Sequence, residues 1–140
     1  MNSRVLVLGT FDILHIGHMI FLKECAQFGW VIVGLSTDAN AQSKRVPIMS
    51  YLEREAALLL LPWVDVVVPK GEAAAHPVIQ DVRPDMIAYG SDWTEAGWLE
   101  ENQLDIEWLV DQRIGLRRVN NPGAMSTTEI IERARLSDGL

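Results

Sequence analysis

The 140-residue chain has one cysteine, Cys25, and few basic side chains: 12 Lys and Arg stand against 19 Asp and Glu, a formal net charge of −7. One cysteine excludes an internal disulfide and a thiolate metal cluster. Its apolar helical surroundings favour a buried structural thiol over a nucleophile. The acidic balance argues against a general nucleic-acid binder, which needs a net basic face. A local phosphate pocket stays compatible with it, because helix ends and a few basic side chains can build one.

Long apolar runs and a secretory pattern are also missing. No apolar run reaches the roughly 18 residues that a membrane-spanning helix needs. The chain begins MNSRVLVLGTFD, which indicates a first strand and shows no cleavage pattern. We therefore expect a cytoplasmic protein without a membrane partner. Its 49% apolar and 22% charged residues are typical of a folded protein, and the length predicts one domain over residues 1–140.

Short apolar stretches alternate with helical patterns along the chain. Strands are predicted at 4–9, 30–36, 64–69, 86–92 and 116–120. Helices are predicted at 16–29, at 50–61, around Pro77, in two pieces within 94–115, and from Ser126 onward. Residues 37–49 are predicted to be a polar loop. This alternation predicts an α/β, Rossmann-like fold: a doubly wound parallel five-stranded sheet with helices on both faces.

Four segments with chemically capable residues follow predicted strands or begin a predicted helix. They span residues 9–18, 36–45, 90–93 and 126–128. In doubly wound sheets, ligands bind beyond the carboxyl ends of the strands, where the strand order reverses. We expect these segments to form one site, with the first and last helix starts facing a shared anion.

The segment HIGH places His15 and His18 three positions apart, on one face of a helix's first turn. Each imidazole can donate a hydrogen bond to a phosphate oxygen, and the helix dipole adds to the attraction. Gly17 between them leaves room for a phosphate near the backbone. Two alternatives stay open. The histidines could satisfy local hydrogen bonds only, or bind a metal, for which zinc needs a third protein ligand such as Asp12.

GTFD followed by HIGH resembles the nucleotidyltransferase superfamily that includes the cytidylyltransferases, most closely the glycerol-3-phosphate cytidylyltransferase type. The likeness continues through STD, SYLERE, WVDVVVP, RPDMIAYGSDW and MSTTEI, in the same order. It implies transfer of CMP from CTP to a small phosphorylated alcohol, with release of pyrophosphate. It also implies Mg²⁺ bound with the nucleotide, and a homodimer.

The resemblance also implies a role for each site residue. Those acting in catalysis would be His15, His18 and Lys44. Nucleotide and phosphate contacts would come from Gly9, Thr10, Phe11, Asp12, Gly17, Gly90, Asp92, Ser126, Thr127 and Thr128. The acceptor would meet Asp38, Arg54 and Trp93. Asp12 would either order the site or hold Mg²⁺. From the residues alone, Lys44 also fits a solvent-facing side chain, and Arg54 fits a solvent-facing or salt-bridged one. Ser126 also fits a helix N-cap, Asp92 a turn residue, and Trp93 a partly buried side chain.

Two positions depart from the family pattern. Asn121 stands five residues before Ser126, and Pro62 precedes the third strand, where the glycerol-phosphate enzymes carry arginines. Each missing guanidinium removes a bidentate phosphate clamp. Arg113, Arg117 or Arg118 would have to compensate. These two departures motivate one alternative, a nucleotide-binding module without catalysis. A second alternative is an adenylyltransferase acting on a sugar phosphate or a similar acceptor, because no motif in the sequence encodes the choice of base.

Overall fold

The computed structural model describes residues 3–42, 45–120 and 127–138, the last stretch with side chains from 129 to 136. Its strands are β1 (Arg4–Gly9), β2 (Trp30–Ser36), β3 (Val66–Lys70), β4 (Met86–Gly90) and β5 (Gly115–Val119). Its helices are α1 (Ile16–Cys25), α2 (Asp38–Ala41), α3 (Tyr51–Leu59), α4 (His76–Val82), α5 (Glu95–Glu101), α6 (Ile106–Asp111) and α7 (Thr127–Asp138). None of these helices is long and apolar enough to cross a membrane.

The strands form one parallel sheet in the order β3-β2-β1-β4-β5. From β1 the chain first builds outward through β2 and β3, and then returns to the other side of β1 for β4 and β5. The strand order therefore reverses between β1 and β4, which is where such sheets bind ligands. The predicted fold class is confirmed.

Helices cover both faces of the sheet, and each face has its own apolar core. On the first face, α1 and α3 contribute Phe21, Leu22 and Leu58. On the second face, α4, α5 and α6 contribute Ile79, Trp98 and Leu109. Cys25 is fully buried in the first core, and burial raises the pKa of its thiol to about 12. This confirms the structural interpretation of the cysteine.

The largest difference from the predicted elements lies after β2. Residues 38–41 form the short helix α2 and not a loop, because the Thr37 side chain accepts a hydrogen bond from the Asn40 N–H at 3.2 Å and caps the turn. The capping box of α3 is present as predicted, with Ser50 and Glu53 each bonded to the other's backbone. The first helix is shorter than predicted and ends at Cys25.

Candidate active site

Phe11 shapes the turn that follows β1. Its backbone has φ +48°, in the left-handed region that costs a non-glycine residue energy and recurs at functional sites. The turn folds the Phe11 ring back over Gly9, where a Cβ would stand 2.7 Å from a ring carbon. The ring also packs against His18, with 5.1 Å between the centroids. Gly9 therefore makes room for the side chain that supports His18.

His15 is the N-cap of α1, and its Nδ1 accepts a hydrogen bond from the Gly17 N–H at 3.1 Å. An accepting Nδ1 places the ring proton on Nε2 in the neutral imidazole. The His18 ring stacks on His15 with 3.8 Å between centroids. His15 Nε2 and His18 Nδ1 are both buried, and neither has a hydrogen-bond partner among the described residues. The local hydrogen-bond alternative therefore accounts for His15 Nδ1 and for the His18 bond to the Ile13 carbonyl, and it leaves one nitrogen of each ring unexplained.

Burial favours the neutral form of both imidazoles. Burial lowers the pKa of His18 to about 4, helped by the adjacent His15 and opposed by a hydrogen bond to the Ile13 carbonyl. Burial also lowers the pKa of His15, and the carboxylate of Glu129 opposes that shift. Because Glu129 belongs to the first turn of α7, the start of this helix lies close enough to interact with His15.

The His18 pKa predicts a pH dependence of stability. The unfolded chain binds this proton near the ordinary value of 6.5, whereas the folded chain binds it only near 4. Stability from this group is therefore fully present above pH 6.5 and is lost as the pH falls toward 4, by up to about 3 kcal/mol. We expect His18→Asn to flatten the pH dependence of the free energy of unfolding in urea between pH 4 and 6.5. Parallel curves for the wild type and His18→Asn would contradict the assignment.

Asp12 holds the loop before α3 in position through hydrogen bonds. Its buried carboxylate accepts hydrogen bonds from the N–H groups of Ile48 and Met49, both at 2.9 Å, and lies 3.4 Å from the Arg45 guanidinium. Both oxygens are thus engaged by protein donors, which fits the ordering role better than Mg²⁺ binding. No group of three potential metal ligands occurs among the described side chains.

Arg54 is a fully buried guanidinium on the first face of the sheet. It donates to the carbonyl oxygens of Thr10, Ser36 and Met49 at 2.9, 2.8 and 3.1 Å, and to the Asp38 carboxylate at 2.8 Å. Hydrogen bonds from Arg54 and from the Tyr51 N–H lower the pKa of Asp38. The solvent-facing interpretation of Arg54 is therefore wrong, whereas the salt-bridged one is confirmed by the ion pair with Asp38. Arg54 joins the ends of β1 and β2 to the start of α3, and its contact with an acceptor stays a prediction.

The turn after β4 carries the next predicted site residues. The Asp92 carboxylate folds back toward Gly90, with an oxygen 2.6 Å from where a Cβ would stand. The Arg118 guanidinium donates to the carbonyl oxygens of Ser91 and Trp93. Arg118 therefore lies at this edge of the site, where it could compensate for a missing family arginine. The Arg117 guanidinium instead packs over the Phe28 ring, 4.4 Å from its centroid.

A cavity of about 460 Å³ opens at the carboxyl ends of the strands. Gly9, Thr10 and Asp12 line it, so it adjoins the same strand end as the histidine segment. The predicted Trp93 also lines it. The other lining residues are Leu8, Ser36, Asn40, Ala41, Arg45, Pro47, Lys70, Ala73, Trp98, Glu101 and Asn102.

Some predicted residues lie outside the described part of the chain. These are Lys44 and Ser126, together with the side chains of Thr127 and Thr128. Sequence analysis also missed cavity residues, above all Lys70 and Asn102. The position of Lys70 after an apolar strand was the available signal, because the ends of parallel strands meet at this edge.

The family described as cytidylyltransferase-like matches residues 6–133. The chain belongs to this family. The cytidylyltransferase-like match confirms the superfamily resemblance and makes the protein a nucleotidyltransferase. An FAD synthase from Ferroglobus placidus is 31% identical over 133 residues, which cover 94% of this chain and 87% of that protein. The bifunctional protein HldE from Nitrosococcus oceani is 40% identical over 94 residues, 64% of this chain and 20% of that protein.

A solved structure shows the same fold in another protein. The lipopolysaccharide core biosynthesis protein from Thermoplasma volcanium superposes with a TM-score of 0.71 at 28% identity, over 85% of this chain and 97% of that one. These three relatives carry names other than glycerol-3-phosphate cytidylyltransferase. The closer likeness to that type stays a prediction.

Proposed function

We propose that this cytidylyltransferase-like protein transfers a nucleotidyl group from a nucleoside triphosphate to a phosphorylated acceptor and releases pyrophosphate. The observation that carries the proposal is the histidine pair at the start of α1. Its two buried nitrogens, His15 Nε2 and His18 Nδ1, have no hydrogen-bond partner among the described residues. Buried polar atoms are rarely left unpaired, and at a helix N-terminus the natural partner is an anion.

The chemistry needs positioning and charge stabilisation more than acid–base catalysis. A phosphate monoester has its second pKa near 6, so the attacking oxygen is already anionic at neutral pH. That oxygen attacks the α-phosphorus in line, and the bond to the departing pyrophosphate breaks. His15 donates from Nε2 to a phosphate oxygen. A bound anion also raises the pKa of both imidazoles, so proton uptake would turn His18 Nδ1 into a second donor. Lys44, Thr127 and Thr128 would add phosphate contacts.

ATP is at least as well supported as CTP. FAD consists of FMN joined to AMP through a diphosphate, so the FAD synthase relative makes the kind of bond proposed here with an adenylyl group. The sequence resemblance instead favours CMP transfer to an acceptor like glycerol 3-phosphate. The cavity of about 460 Å³ lies within the range of sites that hold drug-sized ligands, and two tryptophans line it. This size favours an acceptor larger than glycerol 3-phosphate.

The acceptor would occupy this cavity, which Gly9, Thr10 and Asp12 line at the end of β1. Trp93 lines the cavity and could contact the acceptor directly. Asp38 and Arg54 would affect acceptor binding indirectly, because they hold the ends of β1 and β2 in position. The described side chains include no group of three potential ligands for Mg²⁺. The Asp12 carboxylate accepts hydrogen bonds from backbone N–H groups instead. The ion would have to be held mainly by the triphosphate.

A nucleotide-by-acceptor panel tests this function. We expect pyrophosphate release only when Mg²⁺, one triphosphate and one phosphorylated acceptor are all present. The panel combines ATP, CTP, GTP and UTP with FMN, glycerol 3-phosphate and a sugar 1-phosphate. Release with ATP alone supports the adenylyltransferase, and release with CTP alone the cytidylyltransferase. Tight nucleotide binding without turnover on any acceptor would contradict the enzyme and support the binding module.

Two further parts of the proposal come from the sequence. A homodimer is implied by the resemblance, and α3 and its C-cap expose apolar side chains that such an interface would cover: Leu52 is 72% exposed and Leu60 is 85% exposed. A cytoplasmic location remains the expectation from the sequence composition.

A further inference from the structure

Asn102 is a buried amide side chain in the wall of the cavity. It is the C-cap of α5, its exposed fraction is 6%, and it lies among the cavity-lining residues. Its backbone is paired on both sides. The Asn102 N–H donates to the Trp98 carbonyl oxygen at 3.1 Å, and the Asn102 carbonyl oxygen accepts from the Ala75 N–H at 3.0 Å. These bonds hold the residue in a defined position in the wall.

The side-chain amide of Asn102 uses its donor end within the protein. Nδ2 donates to the Trp98 carbonyl oxygen at 3.0 Å. This bond also decides which end of the amide is the nitrogen, because an oxygen at that place would face another oxygen. Oδ1 accepts no hydrogen bond from a described residue, and it is not one of the fully enclosed unpartnered atoms of the described side chains. Oδ1 therefore borders open space, and the space that Asn102 lines is the cavity.

Ser36 contributes a second open polar group, from the sheet. It is the last residue of β2, its exposed fraction is 8%, and it also lines the cavity. Ile32, four residues earlier, belongs to the second core, so the alternation along the strand puts the Ser36 side chain on the same face of the sheet. The Ser36 carbonyl oxygen accepts from Arg54, whereas its hydroxyl has no hydrogen-bond partner among the described residues.

The chemistry of the cavity wall limits which group can pair with Asn102. An amide oxygen only accepts hydrogen bonds, so its partner must carry an N–H or an O–H. Trp93 and Trp98 add aromatic surface to the wall. The formal charges of the described lining cancel, with two basic and two acidic side chains: Arg45, Lys70, Asp12 and Glu101. A neutral ring with a hydrogen-bond donor at its edge fits this wall better than a second phosphate.

We propose that Asn102 determines acceptor specificity, by accepting a hydrogen bond from a ring N–H of a neutral heterocycle. The Ser36 hydroxyl would donate to a carbonyl oxygen of the same ring. The inference rests on the proposed function and adds the class of the acceptor, a phosphorylated heterocycle with an N–H beside a carbonyl group. A sugar ring is a poorer match, because each of its hydroxyls needs a hydrogen-bond partner and the two tryptophans offer mainly apolar surface.

The test compares two ligands that differ in one hydrogen-bond donor. The oxidised ring of FMN carries an N–H between two carbonyl oxygens, and in N3-methyl-FMN a methyl group replaces that hydrogen. Dissociation constants are measured by flavin fluorescence and by calorimetry, with and without a non-hydrolysable ATP analogue. The proteins are the wild type, Asn102→Ala and Ser36→Ala. Gln112→Ala is the matched control, because Gln112 is the exposed C-cap of α6.

We expect the wild type to bind FMN about 10- to 100-fold more tightly than N3-methyl-FMN, because the methyl group leaves Asn102 Oδ1 buried without a donor. In Asn102→Ala the two affinities should agree within about threefold, whereas Gln112→Ala should keep the wild-type ratio. Ser36→Ala should weaken both flavins alike, by about 3- to 10-fold, because both carry the carbonyl oxygens. Binding of the ATP analogue alone should stay within about twofold in every variant.

Equal affinity of the wild type for the two flavins would overturn the proposal without any variant, and so would a wild type that does not bind FMN. A purely structural role of Asn102 would weaken both flavins in Asn102→Ala and preserve their ratio, which would also overturn it. An equal loss of ATP-analogue binding would place the nucleotide base at Asn102 instead of the acceptor.

The proposed function is judged separately, by pyrophosphate release. Release with glycerol 3-phosphate and none with FMN would overturn the inference and support the proposed function. FMN binding that depends on the ring N–H and on Asn102, in a protein without turnover on any acceptor, would support the inference and contradict the proposed function.

Discussion

His18→Ala is expected to lower turnover by about 100- to 1000-fold, the usual cost of losing one hydrogen bond to transition-state charge, which Nδ1 would donate once bound phosphates have raised the His18 pKa. The side chain is well placed for that role. It stacks on His15 at 3.8 Å, is supported by the Phe11 ring, and keeps Nδ1 buried without a partner among the described residues. Protein stability should fall less, because Nδ1 has no partner in the described part of the folded chain and the ring would give up only its hydrogen bond to the Ile13 carbonyl and its packing.

The measurement pairs initial rates of pyrophosphate release with melting temperature. His76→Ala is the control, since His76 packs edge-on against Trp108 at 4.6 Å and is not among the cavity-lining residues. We expect the control to keep wild-type turnover. If His18→Ala lost activity and melting temperature in parallel, the histidine pair would be structural and the proposed function would lose its main support.

Strand ends were the most predictable part of the site. Buried parallel strands are continuous apolar runs, so β1 and β2 were predicted with the bounds that the structure shows. Once the alternation predicted a parallel sheet, the ends of those strands had to share one edge. The histidine segment could be assigned to that edge from its position after β1 alone.

Arg54 shows why other parts of the site could not be predicted. Its position in α3 matches the buried face, since Arg54 and Leu58 are four residues apart and both are fully buried. The sequence pattern does not reveal which residues of this segment face the core, because Leu52, Leu59 and Leu60 are more apolar than Arg54 and yet exposed. A charge is buried here only because three carbonyl oxygens from separate segments converge on it. Such convergence is a tertiary property that no local pattern encodes.

Arg54→Ala is expected to destabilise the protein by about 3–5 kcal/mol, the cost of breaking a buried charged network by removing one partner. The carbonyl oxygens of Thr10, Ser36 and Met49 would lose their guanidinium donors, and buried acceptors without a partner are costly. Arg45→Ala is the matched control. The Arg45 guanidinium lies 3.4 Å from Asp12 and its side chain is 44% exposed, so its loss should cost less than about 1 kcal/mol.

Urea unfolding of both variants and of Arg54→Lys measures these differences. Lysine keeps the charge but lacks the planar fork that reaches all the acceptors together, so Arg54→Lys should fall between alanine and the wild type. Because that variant should still fold, it also separates stability from ligand binding. A raised KM for the acceptor, with the KM for the triphosphate unchanged, would support the acceptor contact implied by the resemblance. Equal unfolding free energies for Arg54→Ala and Arg45→Ala would instead show that the buried guanidinium does not hold the ends of β1 and β2 together.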